Sequence, residues 1–398
     1  MNVIANDTIN RSVYDINSIM VDITEGTNNI PLVKIGDGAS STIYRVNIVD
    51  PKIDSDPLYN ALYEINNRES NNNDESELIT VALKVALPVK HENLRFLFKM
   101  EIDVYSQCHH PNIIHLIWSS LMGGTITDLY PLGAPFLVLE SMEGCLSDLL
   151  KNDTLAQAIN PNISSQYNSD IGGLIYMGKE RMNMIKSVAL GLQYMHGKGW
   201  AHMDITLTNV LYKVVPNGRY NVNDSYSRIC NYLEPKHTFV FKICDMGLAV
   251  HKDNMKYYSP GTNLYMDLNA FNNITELKFE NAVLTDIWSL GIVSLSLICE
   301  YLITVSIFRK KGLDIHKFLK GEIEENVVKE AMTKLTQEDF FKYLEYVEDK
   351  YLSEIIVNMV QVDPMQRKSI DWIVEHCNNV YVYLSRYDSS DEEENSDE

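Results

Sequence analysis

The sequence predicts an α+β chain in two lobes, a small β-rich one with a single main helix and a larger helical one. Three observations carry this prediction. Apolar–polar alternation around glycine turns dominates the first 140 residues. Apolar residues at helical spacing dominate from about residue 145 onward. The composition, 45% hydrophobic and 22% charged over 398 residues, is that of an ordinary globular chain. The predicted divisions are an N-terminal extension over 1–28 and a folded region over 29–378. Within it the lobes run over about 29–140 and 145–378, and an acidic tail follows over 385–398.

Residues 31–46, PLVKIGDGASSTIYRV, alternate around a glycine turn and predict a hairpin. Residues 79–87, ITVALKVAL, are β-branched and alternating, so they predict a third strand. Leu94, Leu97, Phe98, Ile102 and Tyr105 recur at helical spacing over 91–108, and Pro111 ends that helix. The apolar runs 113–118 and 136–140 read as strands. Past Gly144, residues 181–197 form an amphipathic pattern closed by Gly197. A more apolar helix is expected over 282–303, and further helices over 323–334, 337–347 and 351–360. Residues 239–244 read as a strand, and Asn-, Ser- and Asp-rich loops are expected over 151–180 and 212–239.

The net charge is −20, from 34 Lys and Arg against 54 Asp and Glu. The tail DSSDEEENSDE (388–398) carries seven acids and no base, and the stretch 47–78 has a net charge of −6. Both are poor in apolar residues and are expected to be a disordered tail and a solvated insertion. The acidic total argues against a nucleic-acid-binding face. Six scattered cysteines lack metal-site spacing, which suits a reducing, cytoplasmic setting. The first 20 residues predict no signal peptide. The apolar run 287–308 carries Glu300 and is expected to be a buried core helix, so no membrane partner is expected.

Four signals carry chemistry. Gly36-x-Gly38-x-x-Ser41-x-Ile43 lies at a hairpin tip, where glycines let backbone N–H groups approach a phosphate. Alone it reads as an ordinary glycine turn. Lys84 sits in the apolar run Val81-Ala82-Leu83-Lys84, where a buried ammonium needs an anion, and Glu101 could supply it. Then come His202-Met203-Asp204-Ile205-Thr206-Leu207-Thr208-Asn209 and Asp245-Met246-Gly247. An Asp and an Asn five apart, with a second Asp before a Gly, offer oxygen ligands for Mg²⁺ and a carboxylate for a hydroxyl.

Taken together and in this order, the chain resembles the eukaryotic protein kinase family over roughly 31–378. The residues match its glycine-rich loop, strand Lys, helix Glu, H-R-D-x-x-x-x-N loop and D-F-G segment. Residues 259–266 (SPGTNLYM) resemble part of an activation segment, 286–291 (DIWSLG) the D-x-W-S-x-G helix, and 363–367 (DPMQR) the closing D-P-x-x-R. The resemblance implies a two-lobed kinase-like fold that binds ATP and Mg²⁺ and phosphorylates protein substrates. It implies Asp204, Lys84, Asn209 and Asp245 as the catalytic set, with Asn209 and Asp245 on the metal. Nucleotide contacts would fall to Ile35, Gly36, Asp37, Gly38, Ala39, Ser40, Ser41, Thr42, Ile43, Ala82, Lys84, Glu101, Leu139, Glu140, Met142 and Leu211. Leu139 would be the gatekeeper, Lys84 would pair with Glu101, and a hydrophobic stack would use Tyr105, His202 and Met246. Thr262 and its neighbours resemble the Ser/Thr branch, and the Asn- and Ile-rich usage resembles divergent kinases of large DNA viruses.

The chain departs from the family at several places. Met203 replaces the H-R-D Arg, which predicts activity independent of activation-loop phosphorylation. Thr206 replaces the catalytic-loop Lys, removing a cation that Lys256 would have to supply. Residues 267–269 (DLN) stand where A-P-E would be, so Asn269 is expected to give Arg367 only a neutral, weaker partner. The alternative function is a pseudokinase scaffold that keeps the fold without efficient transfer.

Overall fold

A computed structural model of the chain describes residues 33–38, 41–49, 78–86, 92–119, 135–151, 171–216, 237–255, 264–267, 270, 277–299, 303–314, 317, 322–344, 347 and 349–380. The expected extension over 1–28, the body of the 47–78 insertion and the acidic tail lie outside these residues. The described chain groups into two units. Residues up to Phe98 and His115–Ser141 form one, and Lys99–Ile114 with most of the chain from Met142 onward form the other.

The first unit is a five-stranded antiparallel sheet. Its strands are β1 (Val33–Asp37), β2 (Ser41–Val49), β3 (Leu78–Ala86), β4 (Leu116–Ser119) and β5 (Phe136–Glu140), in the order β1-β2-β3-β5-β4. Helix α1 (Glu92–Gln107) follows β3, and its first half belongs to this unit. The β2–β3 ladder runs from Ser41↔Ala86 to Val49↔Leu78. The strands therefore extend past the expected limits at 46 and 79, because backbone pairing continues where apolar alternation has already stopped. Along β3, Val81, Leu83 and Val85 are buried on one face, while Ala82, Lys84 and Ala86 are buried on the other. The Trp118 and Phe136 rings meet with centroids 5.3 Å apart.

In the second unit, β6 (Gly144–Cys145) leads into α2 (Leu146–Lys151). Helix α3 (Ile171–Gly197) begins ten residues before the apolar periodicity does and ends at the expected glycine. Then follow β7 (Trp200–Ala201), β8 (Val210–Pro216), β9 (His237–Ile243) and β10 (Val250–His251). Strand β8 and the first residues of β9 occupy the ends of the loop expected over 212–239. Helices α4 (Phe279–Ile298), α5 (Ile303–Lys310), α6 (Glu325–Thr333), α7 (Gln337–Leu344), α8 (Lys350–Met359) and α9 (370–380) complete the unit.

Helix α4 is apolar nearly all round and is long enough to cross a membrane, but it is buried from Thr285 to Ile298, as a core helix must be. It ends at Cys299, so the expected helix over 282–303 and the apolar run to 308 are divided between α4 and α5. Gly291 explains how closely α4 is packed. A Cβ there would stand 2.7 Å from Val360 Cγ1 and 2.8 Å from Met359 Cβ, so only glycine lets α8 approach this near. Asp349 caps α8 by accepting from the Tyr351 and Leu352 amides.

Candidate active site

In the first unit, strand register places the predicted nucleotide residues together. Residues paired across an antiparallel ladder share a face. Ile43 pairs with Lys84, Ala82 with Leu139, and Lys84 with Leu137. Ile43, Ala82, Lys84 and Leu139 therefore line one face of the sheet. The Lys84 ammonium is buried and lies 5.7 Å from the centre of the Phe98 ring, a cation–π distance. At the β1–β2 turn, Gly38 N–H donates to Ser41 O at 2.7 Å. The Asp37 carboxylate takes the Thr42 hydroxyl at 3.2 Å and pairs with Lys34 at 2.8 Å, which holds its pKa below the ordinary carboxylate value. Ala39 and Ser40 lie outside the described residues. The Glu140 side chain accepts from His115 N–H at 2.8 Å, and Glu140 N–H returns a bond to His115 O at 3.0 Å. That carboxylate thus braces the end of β5.

In the second unit, two strand pairs bring distant segments into one site. β7 pairs with β10, and β8 with β9, so the 202–209 loop and Asp245 are held side by side. Cys244 N–H also donates to Asn209 O at 3.0 Å. Met142 is buried beside this sheet's edge, where the neighbouring Glu143 N–H donates to Tyr212 O, and Leu211 pairs with Cys145.

The loop is fixed from inside. His202 is fully buried, and Asp204 N–H donates to its Nδ1 at 3.2 Å. Its Nε2 faces Cys244 O at 3.0 Å. A carbonyl can only accept, so the imidazole is protonated on Nε2. Asn209 Nδ2 donates to Asp204 Oδ2 at 2.8 Å and to Asp204 O at 2.9 Å. Asp286 on α4 accepts His202 N–H at 2.8 Å, Met203 N–H at 2.7 Å and His196 Nε2 at 2.8 Å. It holds Met203 at φ 66, a left-handed backbone that a methionine seldom adopts. Sequence reasoning recognised Asp286 only as part of a helix motif and missed this anchoring role.

Thr206, expected only as the loss of a lysine, has a positive task. It is buried, and its hydroxyl accepts Asn209 N–H at 3.2 Å and bonds Thr208 Oγ1 at 2.9 Å. Lys256 and Thr262 lie outside the described residues.

Arg367 has a buried partner that the sequence reading did not identify, Asp267, while Asn269 lies outside the described residues. Asp267 Oδ1 also accepts Ala270 N–H at 2.6 Å. Arg367 donates further to Leu284 O and Gln361 O, each at 2.8 Å, and stacks 4.8 Å from the Trp288 ring centre. An Asp two positions upstream supplies the carboxylate that Asn269 lacks.

Asn209, Asp204 and Asp245 offer only hard oxygen ligands. Because Asn209 Nδ2 is engaged with Asp204, its Oδ1 is the atom left to face a cation. Mg²⁺ is commonly held by one or two carboxylates plus substrate phosphates, so this sparse set fits it. Among the described residues no cluster of three or more His, Cys, Asp or Glu offers a different metal centre. Asp245 sits at φ 63, ψ 72. Glu101 is joined to it through Tyr105, whose hydroxyl lies 3.3 Å from Glu101 Oε1 and 3.2 Å from Asp245 N. The stack residues Tyr105, His202 and Met246 are all buried, as expected.

The chain is also similar in sequence to known proteins. The family described as Protein kinase domain matches residues 70–378. Serine/threonine-protein kinase STE20 of Yarrowia lipolytica is 26% identical over 268 residues, covering 67% of this chain and 16% of that protein. Serine/threonine-protein kinase TOS3 of Saccharomyces cerevisiae is 24% identical over 324 residues, 77% of this chain and 47% of that one. Serine/threonine-protein kinase GD17699 of Drosophila simulans is 23% identical over 295 residues, 74% and 31% respectively. The chain thus spans less than half the length of each of these relatives. With the family domain matched over most of its residues, the chain belongs to the protein kinase family.

Proposed function

We propose that this chain is an active protein kinase that transfers the γ-phosphate of ATP to Ser or Thr hydroxyls of protein substrates. The observation that carries this reading is the Asp204–Asn209 pair, locked at 2.8 Å beside Asp245 within one braced loop. Asp204 orients the substrate hydroxyl and takes its proton as the phosphoryl group departs. Asn209 and Asp245 would hold Mg²⁺, which would supply neutralisation of phosphate charge. Lys84 contacts the α- and β-phosphates. The 202–209 loop contributes chiefly by holding these groups still before reaction. Ser/Thr preference is supported by the printed names of the relatives and by the GTNLYM string.

Turnover of ATP-Mg²⁺ on a generic Ser/Thr peptide tests the reading. Transfer by the wild type that disappears in Asp204→Ala supports it. Equal, negligible transfer from both sinks it in favour of a scaffold.

Activity is also expected not to require activation-loop phosphorylation. Met203 is apolar and only 3% exposed where the family carries the phosphate-binding Arg, so the loop lacks that cation. Phosphatase treatment of purified enzyme should leave turnover within about twofold, because no phosphate–Arg contact exists at Met203 to be lost. Collapse of activity would overturn this.

A further inference from the structure

The atom that the kinase reading leaves without a task is the Tyr105 oxygen. The predicted hydrophobic stack needs only a ring at this position, and phenylalanine would fill the same volume. Yet Tyr105 is 1% exposed and carries a hydroxyl into the interior, where an oxygen is kept only if it is bonded. Its two neighbours define its direction. Asp245 N–H can only donate, so the Tyr105 oxygen accepts from it, at 3.2 Å. The phenol proton then goes to Glu101 Oε1, at 3.3 Å and one helical turn away on α1. Burial first, then the nearby Glu101, Cys244 and Asp245, push the phenol pKa well above its ordinary value, so it stays protonated.

The peptide group this hydroxyl grips is strained. Asp245 is one of two described non-glycine residues at positive φ. The preceding residue is held on both sides, by Cys244 N–H to Asn209 O at 3.0 Å and by His202 Nε2 to Cys244 O at 3.0 Å. Met246, the following residue, is fully buried. The Asp245 N–H is therefore where a further contact can set the direction of the Asp245 carboxylate.

We propose that Tyr105 is a positioning residue for the metal site, its hydroxyl fixing Asp245 in the left-handed conformation and tying it to Glu101 on α1. This rests on the kinase reading in one respect only, that Asp245 is the Mg²⁺ ligand. It adds to that reading a polar link between the metal-binding residue and the helix acid.

The test is Tyr105→Phe, which removes one oxygen and keeps the ring. Binding of a fluorescent ATP analogue is measured for wild type and variant, in EDTA and in Mg²⁺, alongside the ligand-free unfolding midpoint. In EDTA the two proteins should bind alike. In Mg²⁺ the variant should lose about tenfold of affinity, the scale of one hydrogen bond to a buried amide. Its unfolding midpoint should fall by no more than a few degrees. Equal Mg²⁺-dependent affinity in the two proteins overturns the assignment. An equal loss with and without Mg²⁺ also overturns it, since that marks a merely structural role. The binding difference is read without turnover. A wild type that binds Mg²⁺-nucleotide but transfers no phosphate refutes kinase activity and leaves Tyr105 to be judged on the same comparison. No Mg²⁺-dependent binding at all by the wild type overturns both.

Discussion

Asp267 and Arg367 form a buried pair whose energetics follow from burial. The Arg367 guanidinium has no exposed side-chain surface, and burial pulls its pKa down while Asp267 opposes that shift. Removing one member of such a pair strands the other charge, which costs about 3–5 kcal/mol. Asp267→Asn should therefore lower the urea unfolding free energy by about 3 kcal/mol. The double variant Asp267→Asn/Arg367→Leu should be no less stable than the single, because the stranded charge is gone. A single variant within about 1 kcal/mol of wild type would show that the pair is not the anchor. This residue also marks a limit of reading by motif. Alignment to A-P-E directs attention to position 269, whereas a carboxylate two residues earlier reaches the same arginine. Thr206 teaches the same point: a motif records a missing lysine, and only the fold reveals a hydroxyl bracing Asn209. Thr206→Val should reduce kcat about fivefold, with the ATP KM unchanged, by loosening Asn209. An unchanged kcat would remove the brace from the account.

Helix α4 concentrates the fold's dependence on sequence. Asp286 holds the catalytic loop, Ser289 donates to Tyr265 O at 2.9 Å, and Gly291 admits α8. Gly291→Ala would drive a methyl into Val360 and Met359, and overpacking of this kind costs about 1–3 kcal/mol. The expected outcome is a lower unfolding midpoint together with lost transfer activity, since α4 carries Asp286 as well; an unchanged midpoint would mean that α8 simply moves aside. Helices α7 and α8 were legible because their apolar periodicity persists over two turns or more, and α4 because its apolar run is too long for a strand. In the first unit β1, β2 and β3 were legible from a period of two, and β4 and β5 from short apolar runs. Strands β6, β7 and β10 were not, since two residues carry no period. Strand β8 was not expected at all, and the ends of β2, β3 and β9 were misplaced. Their last pairs, such as Val49↔Leu78 and Pro216↔His237, are set by ladders between residues far apart in sequence. The catalytic and metal residues were legible as spacing. The contacts that hold them, from Asp286 and Tyr105, depend on which backbone groups the fold presents.

Across the whole molecule, the net charge of −20 and the buried thiols both predict loss of stability in alkali, and they can be told apart. Raising pH removes cations and ionises tyrosines, so self-repulsion grows, but repulsion between exposed charges is screened by salt. Cys377 is different. It is fully buried on α9, and burial pushes its thiol pKa up to about 12 despite the nearby Lys186. A folded-state pKa raised above the unfolded value means that unfolding releases a proton. The stability this group contributes is complete below the unfolded pKa of 9.0 and is lost as pH rises from there toward about 12. This loss arises from desolvation of a buried thiolate, which salt does not screen. Unfolding midpoints at pH 8, 9.5 and 11, in low and high salt, should thus separate the two causes. Wild type should retain a salt-resistant decline between pH 9.5 and 11. Cys377→Ala should start lower, because a buried sulfur is lost, yet decline less steeply in high salt. Parallel slopes for the two proteins in high salt would remove Cys377 as a cause of the alkaline loss.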